Sequence, residues 1–166
     1  VQLARMIDGL GWQADLPGVH LRCDSPNDIY IDQWFYQLFD TVEACGARRL
    51  VIDSLGDLAA TCQDDKRFRE FVYSLLSTCS RAGVSSIVTY ETPELFEHTR
   101  LSERGVSHLS DNVILLQYLP QGSVLSRALT VLKTRASRHL PQVREYEITQ
   151  GGSSVGEPVN PRRASG

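Results

Sequence analysis

The chain has 166 residues, 42% of them hydrophobic and 22% charged, with a formal net charge of −3. These values fit one soluble globular domain with a real core. They exclude a basic field of the kind that gathers nucleic acid, and with no run of about 20 apolar residues they argue against a membrane span. The four cysteines, Cys23, Cys45, Cys62 and Cys79, show no C-x-x-C spacing, which argues against a zinc knuckle and points to a reducing, cytoplasmic setting. Basic residues are fifteen Arg and only two Lys, Lys66 and Lys133, so each lysine stands out. The sequence does not begin with Met and opens directly in an amphipathic segment, so it reads as a piece of a longer protein.

Leu3, Met6, Ile7 and Leu10 form a helical stripe that ends at Gly9 and Gly11. Residues 19–23 read as a short strand, and Asp24-Ser25-Pro26-Asn27-Asp28 as a turn able to cap the next helix. In that helix Ile31, Trp34, Phe35, Leu38, Phe39 and Val42 recur at helical spacing, and Gly46 stops it. Aromatics so spaced pack into a core more readily than they stack on bases. Residues 50–53 form the next strand, an apolar run that suits burial on both faces of a parallel sheet. Asp64 and Asp65 then cap a helix carrying Phe68, Phe71, Val72, Leu75, Leu76 and Cys79, which ends near Gly83.

A strand follows over 86–90. Residues 92–110 are polar and irregular, with a short helix near 95–98, and read as a functional loop. Strands are expected at 112–119, 124–133 and 143–148, with turns at 120–123 and 136–141. From Gln150 onward Gly, Ser, Pro and Arg dominate, so 150–166 reads as a flexible tail behind a folded portion spanning 1–149. The fold class is α/β: a mostly parallel sheet flanked by helices, with an antiparallel hairpin at one edge.

Two groups of residues can carry chemistry. Asp53 and Ser54 end a strand where open α/β sheets place their ligand crevice, and a carboxylate there can hold Mg²⁺ through its water. An acid after an apolar run can equally cap a helix. Thr89 and Glu91 end the next strand and line the same edge, unless they are ordinary loop polarity. In the second group, strand alternation sets Lys133 and Arg135 on one face at a strand end, where two cations can straddle a triphosphate. A solvated basic strand end is the plainer alternative. The four histidines show no metal-ligand spacing, and no G-x-x-x-x-G-K-[ST] phosphate loop occurs in these residues.

Three segments together carry a resemblance. They are Arg49-Leu50-Val51-Ile52-Asp53-Ser54-Leu55, Ser110 to Tyr118 (S-D-N-V-I-L-L-Q-Y), and Ser126 to His139 (S-R-A-L-T-V-L-K-T-R-A-S-R-H). In order and spacing this resembles the second half of a RecA-like ATPase domain of the KaiC type, over about residues 1–150. The resemblance implies that Asp53 is the Walker B aspartate and that Ser54, Thr89, Glu91 and Arg127 lie around the nucleotide. It implies that Lys133 and Arg135 form the K-x-R pair acting on a neighbouring subunit's ATP in a hexameric ring, with Mg²⁺ as cofactor. It places the phosphate loop and catalytic glutamates upstream of Val1, so that these residues alone are inactive. Clock members of the family carry a Ser-Thr autophosphorylation pair just before their equivalent of Ser110-Asp111-Asn112; this sequence has Ser107-His108 there, which argues against an acceptor pair and a clock role and leaves an autokinase parent open. A rival reading is a non-catalytic RecA-like interaction or signalling module that works through a protein partner. A recombinase-like strand binder ranks last, because Arg100 and Arg104 in the 92–110 loop are offset by Glu94, Glu97 and Glu103.

Overall fold

A computed structural model describes residues 17–25, 28–62, 64–91, 106–121, 124–135, 138, 140–149 and 151–159. The stripe at 3–10, the helix expected at 95–98 and residues 160–166 lie outside them. The chain divides into two compact units: residues 20–110, and residues 111–166 with 1–19.

The first unit runs in the order α1 (Ile31–Cys45), β1 (Arg49–Ile52), α2 (Leu55–Ala60), α3 (Asp65–Arg81), β2 (Ser85–Val88) and α4 (Val106–Leu109). The stripe of α1 does what its spacing predicts. Leu38 and Val42 are buried, and Ile31, Trp34, Phe35 and Phe39 pack against the same core. Trp34 and Phe35 meet Phe71 of α3 at ring-centroid distances of 6.2 and 6.1 Å, within the range of tilted and edge-on aromatic pairs. Gly46 closes the helix in the left-handed conformation, at φ 62°. Asp64 caps α3 by accepting the Arg67 N–H at 2.8 Å. Phe68, Val72 and Leu75 of α3 are fully buried beside Leu55 and Leu58 of α2.

Two expectations fail for local reasons, and one helix goes beyond them. Residues 19–23 form no strand, and the side chain of Arg22 is instead drawn to Gln37 at 3.0 Å and to Asp24 at 2.7 Å. Asp28 N–H donates to the Ser25 carbonyl at 2.9 Å, yet no side chain caps α1. The Asp24 carboxylate accepts the Trp34 indole N–H at 2.8 Å, and Tyr30 holds the cap position. Helix α2 was not anticipated, because six residues with Leu55 and Leu58 give only one helical repeat.

Strands β1 and β2 pair in parallel, Val51 opposite Ile87 and Ile52 opposite Val88. Ile52 enters the core, but Val51 is 64% exposed and Ile87 66%. The expectation that β1 is buried on both faces is therefore corrected: among the described residues, helices cover one face and the apolar Val51–Ile87 pair is bare on the other.

The second unit is a four-stranded antiparallel sheet in the order β3 (Asn112–Gln121), β4 (Val124–Thr134), β5 (Val143–Thr149) and β6 (Gly152–Pro158). Pro120 and Gln121, expected in a turn, belong to β3 and pair with Leu125 and Val124. The antiparallel part is larger than an edge hairpin. Residues 152–158, expected in the tail, pair with β5 from the Thr149–Gly152 pair onward, and Gly152 takes φ 113°. Main-chain pairing at a sheet edge needs few apolar side chains, so composition conceals such a strand.

Burial sorts the thiols. Cys79 is 1% exposed and burial raises its pKa, whereas Cys23 is exposed. Because the thiolate is the reactive form, timed alkylation of native protein should label Cys23 first and spare Cys79 until denaturant is added. Equal labelling rates would contradict the packing of α3.

Candidate functional site

Asp53 lies one residue beyond β1, exposed, and followed by a cis Asp53–Ser54 peptide bond. Across from it the main chain of Thr89 continues the parallel ladder. Thr89 N–H donates to the Ile52 carbonyl at 3.0 Å, and Leu55 N–H donates to the Thr89 carbonyl at 2.9 Å. These two bonds straddle Asp53-Ser54 and set the Thr89 side chain against the aspartate. The Thr89 hydroxyl donates to Asp53 Oδ1. Asp53 therefore does not cap a helix. Ser54 holds the cap position of α2, and its hydroxyl donates to Asp57 at 3.2 Å. Glu91 lies two residues beyond Thr89, past the strand end and exposed.

Fixing one oxygen of a carboxylate orients the other. An exposed, oriented aspartate at the carboxyl end of a parallel strand is suited to hold a hydrated cation or to accept from a bound water. Mg²⁺ keeps several waters and takes one or two carboxylates plus phosphate oxygens, so a single carboxylate in this setting fits that ion.

Lys133, Arg135 and Arg127 belong to the second unit. Arg127 faces Tyr118 across the β3–β4 ladder, and its guanidinium lies 6.0 Å from the centre of that ring. Between them and the end of β4 the register breaks. Ile114 pairs with Val131, but Val113 pairs with Lys133, so Leu132 is an extra residue and β4 is bulged. Unbroken alternation from Arg127 and Leu129 would put Lys133 on their face. The bulge instead puts Lys133 opposite Val113, on the face of Leu115 and Thr130. Lys133 and Arg135 still share a face, two residues apart beyond the bulge, and Arg127 sits on the other. Arg135 is anchored to Asp111 by main chain and side chain alike.

The family model of the KaiC ATPase matches residues 23–160. The chain belongs to the KaiC ATPase family. It is 29% identical over 136 residues to the circadian clock protein KaiC3 of Synechocystis sp., covering 82% of this chain and 27% of that one. It is 32% identical over 107 residues to the circadian clock oscillator protein KaiC of Thermostichus vulcanus, covering 64% of this chain and 20% of that one. It is also similar to the crystal structure of a KaiC-like protein from Pyrococcus horikoshii OT3, with a TM-score of 0.77 and 25% identity over 94% of this chain and 70% of that one. The chain thus spans about a quarter of the length of these curated relatives. The match shows a KaiC-like, RecA-type α/β fold and places the chain in a nucleotide-using ATPase family.

Within that KaiC-like frame, Asp53 and Thr89 come together as the sequence suggests, through a bond the sequence could not show. Two partners were missed. Asp57 follows Ser54 by three residues, a spacing that hinted at the contact. Asp111 lies within the Ser110 to Tyr118 segment, but nothing in its spacing to Arg135, 24 residues on, points to a pair.

Proposed function

We propose that this segment is the C-terminal portion of a ring-forming, cytoplasmic ATPase that binds and hydrolyses MgATP at its subunit interfaces. The observation that carries the reading is Asp53, presented past the end of β1 and oriented by Thr89 from the neighbouring parallel strand. Asp53 and Thr89 would hold the Mg²⁺ water shell, with Ser54 and Glu91 beside them. Lys133 and Arg135 would reach the phosphates of a neighbour's nucleotide, with Arg127 supporting the strand that carries them. Bound MgATP supplies the phosphoryl group and the charge that these residues organise. Catalysis of phosphoryl transfer is mainly positioning and electrostatic stabilisation, which suits a site to which two subunits contribute.

The phosphate cradle would come from polypeptide outside these residues, which contain no Walker A sequence. Among the described residues the Val51–Ile87 face is uncovered, which leaves room for a further layer against β1 and β2. The proposed assembly is a homo-hexameric ring, with a signalling protein as a further partner.

The test uses the whole protein that carries this segment. ATP turnover per subunit is measured against protein concentration, with assembly mass followed by light scattering. Turnover per subunit should rise as assemblies form, since each site needs two subunits. Titration calorimetry of the 166-residue segment alone should give ATP affinity weaker than low-micromolar, because backbone N–H groups of a phosphate loop supply most of the grip. Full turnover by monomers, or tight ATP binding by the segment, contradicts the proposal. Assembly without nucleotide binding or turnover would instead support the interaction-module reading.

A further inference from the structure

Arg135 is fixed to Asp111 at two points. Its main-chain N–H donates to the Asp111 carbonyl at 3.1 Å, and its guanidinium Nη1 donates to Asp111 Oδ1 at 3.1 Å. The contact lies one step beyond the last ladder pair, Asn112 with Thr134, where β3 begins and β4 ends. The Leu132 bulge resets the face just before this step, so that the residues opposite Val113 and Asp111 are Lys133 and Arg135. The backbone bond fixes where the arginine starts. The carboxylate fixes where its far end points.

This ion pair is exposed, at 58% for Arg135 and 73% for Asp111. Pairs so exposed contribute little to folding. Their effect is instead on orientation, since a long arginine otherwise samples many rotamers. A guanidinium is a rigid planar fork with five N–H donors, so a carboxylate contact at Nη1 constrains the orientation of the whole fork.

We infer that Asp111 is a positioning residue: its carboxylate holds the Arg135 guanidinium at the angle from which it meets a phosphoryl oxygen on a neighbouring subunit's nucleotide. The inference rests on the reading of Arg135 as a trans-acting residue. Misplacement of a catalytic group by about 1 Å can cost about 100-fold in rate. Asp111→Ala in the whole protein should therefore lower kcat by about 10–100-fold, with KM for ATP and the thermal midpoint little changed. Asp111→Asn keeps the accepting oxygen and should recover most of the lost kcat.

The deciding measurement is a double-mutant cycle read by single turnover. In an Arg135→Ala background, Asp111→Ala should have no further effect. An equal loss in both backgrounds, or a loss confined to KM or to the thermal midpoint, overturns the inference. If Arg135→Ala lowers turnover and Asp111→Ala does not, the positioning role fails while the trans-acting reading survives. If Arg135→Ala leaves turnover unchanged, the trans-acting reading itself has failed.

Discussion

Replacing Arg135 with alanine in the whole protein is expected to lower ATP turnover by about 10³–10⁵-fold, the range an arginine finger supplies in related phosphoryl-transfer chemistry. The loss should fall on kcat, because the guanidinium meets charge that develops on the phosphoryl oxygens during transfer. Folding should be nearly unaffected. Arg135 lies past the last ladder pair of β4, and its contact with Asp111 is a surface pair. Mixing Arg135→Ala subunits with Asp53→Ala subunits supplies the sharper readout. Some mixed interfaces then combine an intact aspartate from one subunit with an intact arginine from its neighbour. Activity should reappear in assemblies shown to be mixed. Its absence there would mean that Arg135 acts within its own subunit or is a solvated surface cation.

Asp53→Ala should abolish Mg²⁺-dependent turnover, and with it the response of rate to Mg²⁺ concentration. Asp53→Asn separates charge from shape. Asparagine can still accept the Thr89 hydroxyl through its amide oxygen, so the Asp53–Thr89 geometry is retained while the negative charge is lost. If the carboxylate holds the hydrated cation, both variants fall to background. If Asp53 serves only to pin Thr89 across the sheet, Asp53→Asn keeps most of the activity. Neither variant should unfold the protein, because Asp53 lies outside the core formed by Ile52, Leu55, Phe68, Val72 and Leu75. A matched urea titration checks this, with an unchanged slope and a midpoint close to that of the unaltered protein.

Helices α1 and α3 were legible in the sequence because each buries one stripe. Periodicity reports such one-sided burial directly. The stop at Gly46 and the cap at Asp64 were legible for a similar reason, since both are decided within one turn of chain. Asp53, Thr89, Lys133 and Arg135 could be singled out because each falls at the end of an apolar run. What a residue at a strand end touches is set by the neighbouring strand, however. The Thr89–Asp53 bond joins residues 36 apart, and the Arg135–Asp111 pair joins residues 24 apart.

The sequence by itself determined the α/β class, the two amphipathic helices, the strand ends and the residue types available for chemistry. These follow from local propensity and from the alternation of apolar and polar residues. Tertiary structure alone decided the rest. The parallel pairing of β1 with β2 brings Thr89 onto Asp53. The bulge at Leu132 moves Lys133 and Arg135 to the face opposite Arg127. Edge pairing makes a strand of residues 152–158. Each of these depends on the register between strands. Main-chain hydrogen bonds form alike for any residue, so a run of sequence read by itself does not show which partner it meets, and a shift of one residue reverses every face.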